Sequence, residues 1–202
     1  GSSVSLSSDG SIVAIGANVN DGNGNNSGHV RIYNYNGSAW VQVGADIDGE
    51  AVSDYSGNSV SLSSDGSRVA IGATGNDGNG FNSGHVRIYN YNGSAWVQVG
   101  ADIDGEADGD QSGQSVSLSS DGSRVAIGAK DNDGNGTTSG HVRVYSLSSG
   151  ETYQYVWDTS SGTLSNGTYY ATVAAADKAG NAYVAGTQSI TFTLDTTAPS
   201  VS

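Results

Sequence analysis

The chain of 202 residues contains no cysteine and no methionine, and its single proline, Pro199, lies near the end. The absence of cysteine excludes disulfides and thiolate-bound zinc, but it does not assign a compartment. With no methionine, and opening in mid-repeat on Gly1-Ser2-Ser3-Val4, the sequence reads as a piece of a longer protein. Basic side chains are scarce too, seven against twenty acidic ones, for a net charge of −13. Such a surface repels nucleic acid and anionic lipid, so neither is expected as a partner. No run approaches the length of a membrane span, so membrane insertion is not expected, and with no basic, apolar leader present any export signal is expected to have been removed or to lie outside this piece. Apolar residues make up only 35% of the chain while glycine numbers 31, the balance of a protein made of short strands and many turns.

What is present is repetition. Val60 to Ala107 copies Val4 to Ala51 with four changes, Ile12 to Arg68, Asn18 to Thr74, Val19 to Gly75 and Asn25 to Phe81. A third copy runs from Val116 to Tyr145, and Val4, Val60 and Val116 set a period of 56 residues. A period of that size marks one supersecondary unit stacked on its neighbours.

Inside the second copy, Val60 and Leu62 alternate with serines and lead into Ser64-Asp65-Gly66, a turn cluster. Arg68 to Ala73 returns as a strand, and Gly75 to Gly80 forms a loop of glycine, asparagine and aspartate. His85 to Tyr91 places Val86 and Ile88 on one face and His85, Arg87, Tyr89 and Tyr91 on the other. Asn92-Gly93 then predicts a type I′ hairpin turn, with Ala95 to Val99 pairing back as a fourth strand and Ala101 to Ser112 as the connection onward. Each repeat is therefore expected to be a four-stranded antiparallel meander in an all-β fold. Because such a meander has apolar residues on both faces, it must stack on its neighbours, as a blade does in a β-propeller.

The pattern SGxSVSLSSDGSRVAIGA, followed by a Gly/Asn/Asp loop and SGHVRVY, resembles the FG-GAP repeats of integrin α-chain propellers and their bacterial relatives. The resemblance covers roughly Gly1 to Tyr145 and implies about three propeller blades, in a domain expected to span residues 1–151. Ser56-Gly57 and Ser112-Gly113 stand where the family has Phe-Gly, and Gly72-Ala73-Thr74 where it has Gly-Ala-Pro. Glu151 to Tyr155 falls where a fourth strand of the third blade belongs. Residues 152–195 change character: Gly167-Thr168-Tyr169-Tyr170 and the text through Asn181 resemble the C-terminal half of a bacterial immunoglobulin-like repeat. Strands are expected at Tyr169 to Ala175, Ala182 to Ala185 and Ser189 to Leu194, and residues 196–202 read as an interdomain linker. Three blades do not close a propeller, and some fifty residues do not complete a sandwich of roughly 100. The missing parts are expected from a larger parent protein, with further copies of the same chain as the second expectation and the C-terminal strands packing as a fourth blade as the third.

In a meander, alternate connections lie at opposite ends, so the Asp-Gly-Asn-Gly loop and the Asp-Ile-Asp-Gly-Glu-Ala connection share one acidic rim. The candidate cation ligands there are Asp21, Asn23, Asp46, Asp48 and Glu50 in the first repeat. The second repeat supplies Asp77, Asn79, Asp102, Asp104 and Glu106, and the third Asp131, Asp133 and Asn135. Carboxylates, asparagine and backbone carbonyls in glycine-rich loops are what calcium requires, and the competing expectation is that they serve as Asx-turn scaffolding under a solvated rim. The calcium loop of the integrin family lies between the first two strands, where this chain has only Ser64-Asp65-Gly66, so that site does not carry over.

His29, His85 and His141 recur once per repeat, as do Arg31, Arg87 and Arg143; packing between blades, with their side chains bonding loop carbonyls or the rim acids, is the expected role of both sets, and a metal ring or a catalytic set is the alternative. Tyr33, Tyr35, Tyr89, Tyr91, Trp40 and Trp96 are expected to pack between blades too, with a sugar-stacking surface as the alternative. No nucleophile elbow, P-loop or Rossmann fingerprint occurs. Equivalent acids in near-identical repeats do not provide the unequal environments a catalytic pair needs. The expectation is thus a non-enzymatic adhesion or structural module of a bacterial extracellular or cell-surface protein. A self-assembling ring or filament subunit is the alternative, and a module binding surface glycans a weaker one.

Overall fold

The computed structural model describes residues 1–147 and, beyond them, the backbone of Gly167–Thr172 and Ser189–Leu194. The chain divides into two compact units, Gly1–Glu151 and Thr152–Ser202. All regular structure among the described residues is β-strand, paired antiparallel into separate sheets.

The first repeat supplies β1 (Ser3–Leu6), β2 (Ile12–Ala17), β3 (His29–Tyr35), β4 (Trp40–Gln42) and β5 (Ile47–Asp48). The second supplies β6 (Ser56–Leu62), β7 (Arg68–Ala73), β8 (His85–Tyr91), β9 (Trp96–Gln98) and β10 (Ile103–Asp104). β11 (Ser112–Leu118), β12 (Arg124–Ala129) and β13 (His141–Ser146) form the third sheet. The strand expected at Glu151 to Tyr155 lies outside the described residues.

The connection after the fourth strand is not all loop. Ile47-Asp48 and Ile103-Asp104 pair back onto the start of β3 and β8, His29 opposite Asp48 and His85 opposite Asp104. The central strand thus carries two short partners, one at each end. The Asn-Gly turns also differ from the type I′ expectation. Positive φ occurs at Gly93 (96°) but not at Asn92, and Asn92 N–H donates instead to the Ala95 carbonyl at 3.0 Å. The Asn92 side-chain oxygen accepts the Ser94 and Ala95 N–H groups at 3.0 and 2.9 Å, closing a four-residue loop that a two-residue turn has no room for.

Alternation decides which face each side chain enters. Ala14, Val30 and Ile32 of the first sheet meet Val60, Leu62, Val69 and Ile71 of the second in one buried cluster. Ala70, Val86 and Ile88 on the opposite face of the second sheet meet Val125 and Ile127 of the third. Every residue of β7 is buried, which follows from its having a neighbouring sheet on both sides.

Backbone approaches backbone at these junctions. The Gly28–Ser56 and Gly84–Ser112 bridges join successive repeats in parallel. A Cβ on Gly16 would lie 2.1 Å from the Gly57 carbonyl oxygen, and one on Gly72 2.1 Å from that of Gly113, so both positions require glycine. Leu62 N–H donates to Ser5 Oγ at 3.0 Å and Leu118 N–H to Ser61 Oγ at 2.9 Å, the same bond one period on. In the second unit β14 (Gly167–Thr172) pairs antiparallel with β15 (Ser189–Leu194). The expected strand at Ala182 to Ala185 and the linker 196–202 lie outside the described residues.

Candidate functional site

The acid-rich loops lie side by side, as meander geometry requires. Asn23 Nδ2 donates to the Gly49 carbonyl at 2.7 Å and Asn79 Nδ2 to that of Gly105 at 2.8 Å. Within each loop the aspartate accepts a backbone N–H from five residues on. Asp21 takes that of Asn26 (2.8 Å), Asp77 that of Asn82 (2.7 Å) and Asp133 that of Thr138 (2.6 Å). The three donors all have positive φ, 51°, 49° and 50°. The carboxylate therefore holds a left-handed residue in place, the Asx-type role of a short polar side chain.

Asp54 and Asp110, which the sequence places on the acidic rim but not among the candidate cation ligands, are buried staples. Asp54 Oδ2 accepts the N–H groups of Glu50 (3.1 Å) and Ala51 (2.9 Å), and Asp110 Oδ2 those of Glu106 (3.2 Å) and Ala107 (3.1 Å). Asn132 Nδ2 also donates to Asp110, at 2.8 Å. Their signal was the fixed four-residue interval from Glu50 to Asp54 and from Glu106 to Asp110. Among the remaining candidates, Asp131 pairs with Lys130 (3.4 Å) and accepts from Gln111 (2.8 Å), whereas Asp104 and Asn135 are exposed.

Two groups of ligand-type side chains converge. His29, Asp46 and Asp48 form one, and Glu50, His85 and Asp102 the other, each with its donor atoms within 4.8 Å of one another. They are not equivalent, although their sequences are. In the first, Arg31 makes a two-pronged pair with Asp46, Nε to Oδ1 at 2.9 Å and Nη2 to Oδ2 at 2.8 Å. This pairing holds the Asp46 carboxyl below the usual carboxylate range. In the second, Arg87 turns away from Asp102 to the preceding repeat, donating to the Asp48 carbonyl at 2.8 Å and lying 3.3 Å from Glu50 Oε1. Asp102 is left to a neutral partner, Gln98 Nε2, at 2.6 Å.

His85 is the most enclosed polar side chain of the group, 1% exposed. Neither ring nitrogen has a hydrogen-bond partner, and Nδ1 stands 3.7 Å from Asp102 Oδ2. Burial, reinforced by the Arg87 charge, pushes the imidazole below its ordinary pKa, so the ring is neutral. In the third repeat His141 Nδ1 lies 3.6 Å from Glu106 Oε2, while Arg143 pairs with the same carboxylate.

The aromatic residues divide by position. Trp96 Nε1 donates to the Val43 carbonyl of the preceding repeat at 2.8 Å, whereas Trp40 is 47% exposed beside Tyr35, their rings tilted 47° to each other.

No protein-family model matches the chain, and no match is found among curated proteins.

Proposed function

We propose that the chain is a non-enzymatic structural or adhesion module of a bacterial extracellular or cell-surface protein, its 56-residue repeats being blades of FG-GAP type and its tail the C-terminal half of an immunoglobulin-like module. The observation that carries this reading is the reproduction of one junction, glycine against glycine with a serine bond across it, between the first and second and the second and third repeats. Burial and hydrogen bonding go into joining repeats. The acids of the glycine-rich loops hold backbone N–H groups, which supports scaffolding as their first role, with calcium as a further ligand to be tested. Assay against glycan, ester and peptide substrates tests the reading. Turnover abolished by one acidic substitution overturns it, and adhesion to cells or matrix without turnover supports it.

A second reading, a self-assembling subunit, is favoured by the two end faces. Val4 and Leu6 are 68% and 57% exposed where their counterparts Val60 and Leu62 are 8% and 7%. Val142 and Val144 are 70% and 66% exposed where Val86 and Ile88 are 0% and 2%. Each open face is one half of the interface already seen twice inside the chain, so a second copy fits it head to tail.

A further inference from the structure

The geometry points to a binding site for a divalent transition metal of the zinc class at Glu50, His85 and Asp102, clamping the first repeat to the second. Glu50 comes from the connection that ends the first repeat, and His85 and Asp102 from β8 and the segment before β10 of the second.

The acids alone would not make a site. The independent observation is the imidazole, closed off from solvent at 1% exposure, with both nitrogens unpartnered and Nδ1 directed at the carboxylates. Its 3.7 Å separation from Asp102 Oδ2 is too long for a hydrogen bond. It is close to the spacing of about 3.4 Å between ligands on a tetrahedral ion with bonds of about 2.1 Å. Burial keeps the ring neutral, the form that ligates. A buried polar group without a partner calls for a ligand, and here the groups around it are of ligand type.

Charge agrees with geometry. Glu50, Asp54 and Asp102 act on the ring with three negative charges and Arg87 with one positive. The balance left over, two negative charges, is what a divalent cation neutralises. Asp102 is oriented by Gln98 through Oδ1, leaving Oδ2 toward the ring, the outer support usual for a metal-binding carboxylate. Glu50 is 46% exposed and can leave Arg87, which keeps its bond to the Asp48 carbonyl. One imidazole and two carboxylates suit zinc, cobalt or nickel, with water in the fourth position. Calcium, needing six to eight oxygens, is not served by this set.

The other repeats lack the same opening. Asp46 beside His29 is held by Arg31, and Glu106 beside His141 by Arg143. One high-affinity site per chain is therefore expected among the described residues.

The test is calorimetric titration of the chelator-stripped chain with Zn²⁺, together with melting curves and the visible spectrum of the Co²⁺ form. The expected result is one equivalent bound, a raised melting temperature, and a cobalt spectrum of low coordination number that excess Ca²⁺ leaves unchanged. Glu50→Gln and Asp102→Asn each weaken zinc binding at least tenfold while the metal-free variants melt within a few degrees of the parent. His85→Asn abolishes binding, and the two carboxylate variants keep the test decisive if that variant does not fold. No stoichiometric uptake, or several weak sites indifferent to Glu50→Gln and Asp102→Asn, overturns the proposal. Stabilisation by Ca²⁺ alone overturns it too and leaves the adhesion or structural reading standing.

Discussion

The Ser59 hydroxyl donates a 2.7 Å hydrogen bond to the carbonyl of Gly113, across the junction between the second and third repeats. Ser3 does the same to Gly57 at 2.8 Å. Both bonds depend on a glycine opposite, Gly72 or Gly16, that lets the backbones approach.

Gly72→Ala therefore destabilises the first unit. The added Cβ lies 2.1 Å from the Gly113 carbonyl oxygen, and backbone on both sides must move, at a cost of roughly 1–3 kcal/mol or more. Gly128→Ala is the control. Its Cβ meets only Ser115 of its own repeat, as that of Gly72 also meets Ser59, and the Gly carbonyl across the junction is missing. Urea unfolding should show a large loss for Gly72→Ala and a small one for Gly128→Ala. Equal losses would mean that the junction is not what glycine serves.

Trp96→Phe should cost about 1 kcal/mol, the usual worth of a hydrogen bond, because Nε1 bonds the Val43 carbonyl of the preceding repeat at 2.8 Å. Trp40→Phe, at the same place in the first repeat but 47% exposed, should fall within about 0.5 kcal/mol of the parent. The comparison isolates position, since the surrounding sequence is the same. Urea midpoints of the two variants decide it, and equal effects would sink the argument.

The strands were legible because period-two alternation is a local property: Val69 and Ile71 enter one face wherever the repeat is placed. The pairing of Ile47-Asp48 with β3 was not legible, since two residues carry no periodicity and their partner, Val30-His29, is set by the loop between them. The Asn92 loop was misjudged because Asn-Gly favours positive φ at both residues, whereas the Asn92 side chain satisfied Ser94 and Ala95 without it. At the candidate site, sequence could place the acids on one rim. It could not distinguish His85 from His29, because the difference lies in what the neighbouring repeat brings. Arg87 has Glu50 and Asp48 within reach, while Arg31 pairs with its own Asp46.

Acid should destabilise the repeats through their tight turns. Asp9 and Asp121 are held at a pKa of about 2, Asp9 chiefly by the Ser11 N–H and Asp121 chiefly by the Ser119 hydroxyl, and Asp65 is lowered mainly by the Ser63 hydroxyl. A depressed folded pKa gives stability that is present above the unfolded value, near 3.8, and lost as pH falls through the folded one. The parent should therefore lose stability between about pH 4 and pH 2. The triple variant Asp9→Asn, Asp65→Asn, Asp121→Asn should be less stable at pH 6, with the gap to the parent closing as pH falls to 2. Urea midpoints across that range check it. A gap that stays constant would show that the carboxylate charge contributes nothing there.

The loop aspartates offer a direct contrast between scaffold and calcium ligand. Asp77→Ala removes the acceptor of the Asn82 N–H, whose residue holds φ at 49°, and should lower stability by about 1 kcal/mol. If Asp77 is scaffold only, the loss is the same in excess chelator and in millimolar Ca²⁺. A loss that grows with Ca²⁺ would show a ligand bound to the native state and make the rim a calcium site.

Head-to-tail association predicts a particular pattern among variants. Leu6→Lys spoils the face of β1 and leaves Val142 and Val144 intact, and Val142→Lys does the reverse. If copies join head to tail, the parent should grow with concentration into rings or filaments, while each variant alone sediments as a monomer. An equimolar mixture of the two should give a dimer and nothing larger, because one good face of each kind remains. A face that pairs with itself behaves differently: one variant alone would still dimerise, and mixing would add nothing. A parent that stays monomeric at high concentration would remove the self-assembly reading and leave Val4, Leu6, Val142 and Val144 without a second copy to cover them.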